Sequence, residues 1–270
     1  MGERSLYNIK DTILEDCVFK YGESPLKEVS NLVLNNVVFE YKYPLWYANH
    51  ISVNNSRFEE LSRSGIWYTK DISIKNSLIL APKLFRRCEG VNVFNCELPN
   101  SLEMCWNSRD VNFYDCKVKG DYFCLNLVGG HFNNLQLDGN YAFDGAKNLV
   151  IENSTLNSKD SLWNCENVIV KNSHIVGEYL AWNSKNVIFI DCTLESNQGL
   201  CYIDGLQMIN CKLMNTDLAF EFSSGIDAEI SSNIVSVKNP LSGRIKAEKI
   251  EKLILDKKYV DLDKIEVEDE

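Results

Sequence analysis

An Asn or Asp residue recurs along the chain at intervals of 19 to 21 residues, eleven times in succession. Each one follows a short run in which apolar residues alternate, such as Val187-Ile-Phe189. Self-similarity at a fixed period is the sequence signature of a solenoid, in which each repeat packs against its neighbours. The recurring positions are Asp16, Asn36, Asn55, Asn76, Asn95, Asp115, Asn134, Asn153, Asn172, Asp191 and Asn210.

The alternating runs predict short β-strands, because they are too short for helices and are rich in Val, Ile, Leu and Phe. The period is also too short for helical repeats, which take roughly 33 to 47 residues. A coil of about 20 residues with two or three short strands is the unit of a parallel β-helix. We therefore expect an all-β, single-stranded parallel β-helix of about 11 coils. It should be right-handed, because parallel crossovers are almost always right-handed.

The chain is predicted to form one continuous domain with a cap at each end. Residues 1–12 are polar and are expected to cap the first coil. Residues 13–223 carry the regular coils, and residues 224–270, where the pattern fades, are expected to hold degenerate coils and a C-terminal cap. Caps are expected because the ends of a solenoid expose unpaired strand edges.

Two columns of residues are predicted to bend each coil. Asn and Asp tolerate the left-handed backbone conformation, and stacked Asn amides can bond from coil to coil as an asparagine ladder. The column after the Asn/Asp position is small or apolar, contains five of the ten cysteines, and should point inward. The second bend column precedes the strands and comprises His50, Asp71, Gly90, Asp110, Gly129, Asn148, Asn167, Asn186 and Gly205.

All five tryptophans fall in one column, directly after an apolar column that is expected to face the core. Leu125 and Cys201 share this column, as do two charged residues, so we expect it to face outward, because a buried unpaired charge is costly. The column and two adjacent tyrosines form the candidate ligand-binding or interface face: Trp46, Trp67, Arg86, Trp106, Asp144, Trp163, Trp182, Tyr47 and Tyr68.

Composition excludes several classes of function. The formal net charge is −10 and there is no basic cluster, which argues against nucleic acid and anionic membrane surfaces as partners. The N-terminal residues do not resemble a signal peptide, so a cytoplasmic location with reduced thiols is expected. The three histidines share no column, and no metal or cofactor site is predicted.

Several short motifs resemble an uncharacterised bacterial family, the domain-of-unknown-function family 3737. The motifs are YPLW at 43–46, GIWY at 65–68, GDY at 120–122, GEYL at 177–180, LCY at 200–202, TDL at 216–218 and KNP at 238–240. The resemblance implies a right-handed β-helix of the pectate-lyase-like class. It implies no activity, catalytic residue or cofactor.

Three functional hypotheses follow from the tryptophan column. The leading one is non-catalytic recognition, with a carbohydrate stacked on the aromatic side chains. The second is a protein-interaction or self-association scaffold that uses the same face, since exposed aromatic stripes mark interfaces; a homo-oligomer is thus left open. The third is a carbohydrate-active lyase or hydrolase. No carboxylate pair in the sequence stands out as catalytic, so non-catalytic binding is favoured over an enzyme.

Overall fold

The computed structural model describes residues 2–269, in which the chain forms two compact units that meet in sequence between Asp138 and Gly139. Each unit is a parallel β-solenoid, and the described residues contain no α-helix. The strands of unit 1 are β1 Lys10–Glu15, β2 Val18–Phe19, β3 Ser30–Asn35, β4 Val38–Phe39, β5 Asn49–Asn54, β6 Arg57–Phe58, β7 Lys70–Lys75, β8 Leu78–Ile79, β9 Glu89–Phe94, β10 Glu97–Leu98, β11 Arg109–Lys119 and β12 Val128–Asp138, with a 3-10 helix at Glu60–Ser62.

Unit 2 continues the same alternation of long and short strands. Its strands are β13 Lys147–Glu152, β14 Thr155–Asn157, β15 Glu166–Lys171, β16 His174–Glu178, β17 Lys185–Ile190, β18 Thr193–Asn197, β19 Asp204–Met214, β20 Ser224–Ile234, β21 Val237–Lys238, β22 Gly243–Ile250, β23 Leu253–Ile254 and β24 Ile265–Asp269, with a 3-10 helix at Leu262–Lys264.

Strands stack in parallel register at a spacing of one repeat. Lys10 pairs with Ser30 in unit 1, and Glu166 pairs with Lys185 in unit 2. Because the register repeats from coil to coil, equivalent sequence positions lie one above another within each unit. The all-β parallel solenoid predicted from the sequence is therefore confirmed.

The number of coils is higher than predicted. About 14 turns are present rather than 11, because residues 224–270 add three long strands, β20, β22 and β24, to the stack. These coils lack an Asn or Asp at the ladder position, and the register shifts between Ile230 and Asn233. At the other end, residues 4–8 hydrogen-bond to the second coil, for example Arg4 N–H to the Glu23 carbonyl. Met1 and Glu270, which lie in the predicted caps, are outside the described residues.

Both predicted bend columns turn through left-handed backbone. All eleven Asn/Asp positions have φ between 46° and 56°, and His50, Asp71 and the other members of the second column also have positive φ. Amide side chains join neighbouring coils at several of these bends. Asn95 Nδ2 donates to Asn76 Oδ1 at 2.9 Å, and Asn210 Nδ2 donates to Asp191 Oδ1 at 2.6 Å. The asparagine ladder is therefore present in paired segments and lies on the exposed side of the bends.

The columns expected to point inward form the core. Val37, Leu135 and Cys211 of the column after the ladder are fully buried, and so are most of its other members; Cys17, in the first coil, is only half-buried. Small polar residues in the core bond to the backbone of adjacent coils. Ser173 Oγ, for example, accepts a hydrogen bond from the Ser154 N–H at 3.1 Å. These bonds satisfy buried hydroxyl groups, which would otherwise be costly.

Candidate functional site

The tryptophans project from the turn-rich side of the coil, where residues with left-handed backbone alternate with ordinary ones. Around Trp163, the residues Asp160, Leu162 and Asn164 all have φ between 54° and 58°. Leu162 points into the core, so the next side chain along the chain points away from it. All five indoles are half-buried, so the column faces outward but is partly covered by its own neighbours.

In unit 1 the column forms a continuous stack along the solenoid, which we call the first aromatic cluster: Tyr43, Trp46, Trp67, Arg86 and Trp106. The Trp46 and Trp67 rings stack with centroids 5.3 Å apart and planes 7° apart. The guanidinium carbon of Arg86 lies 5.3 Å from the Trp67 ring and 4.4 Å from the Trp106 ring. Arg86 thus occupies the place of an indole in the stack, held by two cation–π contacts.

A second stack runs beside the first, one residue further along each coil. The Tyr47 and Tyr68 rings stack at 4.8 Å with planes 6° apart. The Arg87 guanidinium lies 5.8 Å from the Tyr68 ring, and Asn107 follows on the next coil. Tyr47 and Tyr68, predicted as members of the candidate face, therefore cover one another rather than offering free ring faces.

Indole N–H groups are used within the fold. Trp46, Trp67 and Trp106 each donate to a backbone carbonyl of the following coil, at 2.6, 2.8 and 2.7 Å. Trp163 does the same to the Tyr179 carbonyl at 2.7 Å. These bonds fix the orientation of the rings and leave the N–H groups without capacity to bind a ligand.

Arg86 is also part of an ion-pair network. Its guanidinium contacts the Glu103 carboxylate, and Lys83 Nζ lies 3.2 Å from the same carboxylate. The side chains of Arg86 and Glu103 are only 20% and 23% exposed, so water screens this pair incompletely. Arg86 Nε, in contrast, is buried and has no hydrogen-bond partner in the part of the chain that the structure describes.

The two arginines create a recess in the aromatic surface, which we call the notch. Its volume is about 280 Å³, and it is lined by Trp67, Tyr68, Arg86, Arg87, Trp106 and Asn107. The neighbouring coils carry Trp-Tyr and Trp-Asn where this coil carries Arg-Arg. Because a guanidinium fills less space than an indole, the two arginine side chains leave a recess between the aromatic side chains of the neighbouring coils. The floor of the notch is therefore cationic and its walls are aromatic.

Unit 2 holds a second aromatic cluster with looser geometry: Trp163, Trp182, Tyr202 and Phe222. Trp182 lies 4.7 Å from the Tyr202 ring at an interplanar angle of 40°, and Trp163 lies 6.4 Å from Trp182 at 35°. Asp144, a predicted member of the face, is half-buried and accepts a hydrogen bond from Asn164 Nδ2 at 2.8 Å. This carboxylate therefore supports the turn of the next coil.

One residue of the column is fully buried. Cys201 is expected to be accessible like Trp182, but its exposure is 0%. Leu200 and Tyr202 on either side of it keep the left-handed backbone found beside the tryptophans, and its thiol contacts the carbonyls of Gln198, Gly199 and Leu218, so neighbouring backbone covers it. Apart from the tryptophans and Cys201, the column has one further apolar residue, Leu125, which is half-buried.

The cysteines have the properties of core residues. Nine of the ten thiols are buried, and desolvation by burial raises the pKa of Cys88, Cys116 and Cys165 to about 12. Thiols with such raised pKa values are poor nucleophiles. Within residues 2–269 no group of three or more His, Cys, Asp or Glu side chains could hold a metal ion. The same part of the chain contains no helix that is long and apolar enough to cross a membrane.

Sequence reasoning placed Trp67, Arg86, Trp106 and Tyr68 on one face but missed other residues of this site. Arg87 and Asn107 continue the column of Tyr47 and Tyr68 at intervals of about one repeat, so the same spacing could have identified them. Glu103 and Lys83 lie in a third column, and nothing in the spacing indicates that Glu103 pairs with an arginine 17 residues earlier.

Comparison with known protein families shows the family to which the chain belongs. Residues 1–268 match the family described as "Protein of unknown function (DUF3737)". The chain therefore belongs to this family, and it folds as a parallel β-solenoid. No curated protein matches the chain.

Three solved structures are similar to the chain at low sequence identity and with TM-scores below 0.5. HetL, a pentapeptide repeat protein from the cyanobacterium Nostoc, is 11% identical, with 82% of this chain and 91% of that chain covered and a TM-score of 0.34. PfbA, a surface adhesin of Streptococcus pneumoniae, is 10% identical, with coverage of 79% and 72% and a TM-score of 0.44. QnrB1, a plasmid-mediated fluoroquinolone resistance protein, is 14% identical, with coverage of 62% and 91% and a TM-score of 0.31. The pectate-lyase-like subclass stays a prediction.

Proposed function

We propose that the protein is a non-catalytic recognition module that binds a saccharide in the notch of unit 1. The notch supports this proposal because it combines aromatic walls with side-chain hydrogen-bond donors, the combination that ligand pockets use for affinity and orientation. Its volume of about 280 Å³ suits one or two sugar rings of a longer chain rather than a large cofactor.

The geometry refines the original idea of a flat tryptophan platform. Trp46 and Trp67 cover each other's faces, so a sugar cannot lie on both. The notch instead exposes the rims of Trp67 and Trp106 on either side of Arg86. We therefore expect the ligand to occupy the recess above Arg86 and Arg87 rather than to lie along the whole column.

The notch offers little to an enzyme. None of its six lining residues is a carboxylate, whereas glycosidases use two carboxyl groups about 5 to 9.5 Å apart. Glu103, next to it, is engaged by Arg86 and Lys83. The lyase or hydrolase hypothesis has correspondingly less support than recognition without catalysis.

Binding to a glycan array, followed by calorimetric titration of the best ligand, tests the proposal with a matched pair of variants. Trp106 and Trp163 are both half-buried, and each donates its indole N–H at 2.7 Å to the carbonyl of the tyrosine 16 residues later. Trp106→Ala should abolish binding, whereas Trp163→Ala should cost similar stability and leave binding intact. Equal losses in both variants would show that the notch is not the site.

A filled notch provides a second variant that does not depend on removing a large side chain. Arg86→Trp places in this coil the residue that its neighbours carry, so the stack is kept and the recess is closed. We expect this variant to fold, as judged by circular dichroism, and to lose saccharide binding. Retention of full affinity would contradict binding in the notch.

Self-association through the aromatic face is a second candidate. It is favoured by the exposure of Tyr47 (48%), beside the first aromatic cluster, and of Tyr202 (41%), within the second, since aromatic side chains are enriched at interfaces. Light scattering over a range of concentrations tests it. A monomer at all concentrations would exclude a homo-oligomer built on this face.

A further inference from the structure

We propose that the notch selects an acidic saccharide and binds its carboxylate through Arg87 and Asn107. This inference rests on the proposed function and names the class of ligand. It starts from the hydrogen-bonding capacity of the lining residues, which is one-sided: the notch contains donors that lack acceptors.

Arg87 is the main free donor. Its guanidinium is exposed and lies 5.8 Å from the Tyr68 ring. No carboxylate of residues 2–269 lies within ion-pair distance of it, in contrast to Lys83 and Arg86, which share Glu103. A planar guanidinium of this kind matches a carboxylate through two parallel hydrogen bonds.

Asn107 adds further donors. The Asn107 Oδ1 atom accepts a bond from Asn126 Nδ2 at 3.3 Å, which orients the Asn107 amide N–H groups away from that bond. Those N–H groups have no protein partner among the described residues. Arg86 Nε also lacks a partner among the described residues, but it is buried and therefore out of reach of a ligand in this conformation.

The two indoles of the notch carry no acceptor that competes for these donors. The indole N–H groups of Trp67 and Trp106 are already bonded to backbone carbonyls, and neither indole carries an oxygen. An anionic oxygen group that enters the notch would therefore accept hydrogen bonds from Asn107 and Arg87. Aromatic walls would at the same time contact the ring that carries this group.

The negative net charge of the whole chain does not prevent such binding. At physiological ionic strength charges more than about 8 Å apart are largely screened, so the residues at the notch dominate at contact. Of the two cationic lining residues, Arg86 is paired with Glu103, whereas Arg87 has no carboxylate partner among the described residues, so Arg87 supplies the unbalanced positive charge of the notch. Added salt should weaken binding of an acidic ligand and leave a neutral one unaffected.

Calorimetric titration with oligomers of mannuronic, glucuronic and galacturonic acid, each paired with its carboxyl-reduced neutral counterpart, tests the inference. We expect one acidic oligomer to bind at least about 10-fold more tightly than its neutral counterpart. Arg87→Gln should remove that preference. Lys212→Gln, which removes one positive charge from an exposed position of β19 in unit 2, should keep it.

The outcomes separate this inference from the proposed function. Equal affinity for acidic and neutral oligomers, with no effect of Arg87→Gln, would overturn the carboxylate assignment and leave saccharide recognition standing. Preference for a sulfated glycan over every uronic acid oligomer would also overturn it. If no saccharide of either charge binds, the proposed function and this inference fail together.

Discussion

Replacing Arg86 should destabilise unit 1 although this side chain is not part of the apolar core. Arg86→Ala removes both cation–π contacts, at 5.3 and 4.4 Å, and with them the packing between Trp67 and Trp106. Such contacts contribute about 0.5–1 kcal/mol at exposed sites and about 2 kcal/mol or more when desolvated. At 20% exposure of the Arg86 side chain, we assign about 1–2 kcal/mol to each.

The ion pair adds little to this cost. Glu103 keeps Lys83 at 3.2 Å after the substitution, so its carboxylate is not left without a partner. The Arg86–Glu103 pair is only about one-fifth exposed, but the Lys83 ammonium that remains compensates for much of its loss, so we assign about 0–1 kcal/mol to that loss. Arg86→Ala should therefore lower the free energy of unfolding by about 3 kcal/mol, with a range of about 2–4 kcal/mol.

Arg86→Met separates packing from charge. Methionine retains an unbranched apolar side chain between the two indoles and lacks the guanidinium charge, so we expect a loss of about 1–2 kcal/mol. Urea unfolding followed by far-ultraviolet circular dichroism gives the midpoint and the m-value for each variant. If Arg86→Met unfolds at the same midpoint as the wild type, the cation–π account of Arg86 is wrong.

Two further predictions concern the fold itself. Asn95 has φ of 48° and donates to Asn76, so Asn95→Ala should cost about 1–2 kcal/mol and Asn95→Gly less, since glycine adopts this conformation without strain; equal urea midpoints for the two would contradict a backbone origin. Burial raises the pKa of the Cys88 thiol to about 12 from its ordinary value of 9.0. This thiol therefore stays protonated in the folded state, and its contribution to the free energy of unfolding is fully present below pH 9. The free energy of unfolding should fall as pH rises from about 9 towards 12, and at pH 8 a thiol reagent should label native protein mainly at half-buried Cys17; rapid labelling of several thiols before unfolding would refute this.

The fold could be predicted because one physical requirement repeats in every coil. A coil must turn at fixed points, and few residues accept left-handed backbone, so the eleven Asn/Asp positions mark the bends directly. Residues 224–270 are predicted only as degenerate coils, because the ladder position there no longer carries Asn or Asp: Ile230 stands opposite Cys211, and Glu229 precedes it. The count of about 11 covers the regular coils alone, so the total of about 14 turns exceeds it.

The sequence predicted only that the candidate site lies on an outward face of the coils. Column spacing placed Trp67, Arg86 and Trp106 on one outward face, because a charged residue shared the column with the indoles. It could not show that the indole faces would cover one another, since stacking depends on side-chain rotamers and on the distance between coils. The notch itself arises from the size difference between Arg86 and its neighbours, which becomes visible only once the coils are stacked.

Nuclear magnetic resonance of the five indole N–H groups during titration with the best-binding saccharide tests the central claim most directly. The account predicts chemical-shift changes at Trp67 and Trp106, the two indoles that line the notch, and none at Trp163 and Trp182. Shifts confined to Trp163 and Trp182, or changes spread equally over all five indoles, would contradict recognition in the notch.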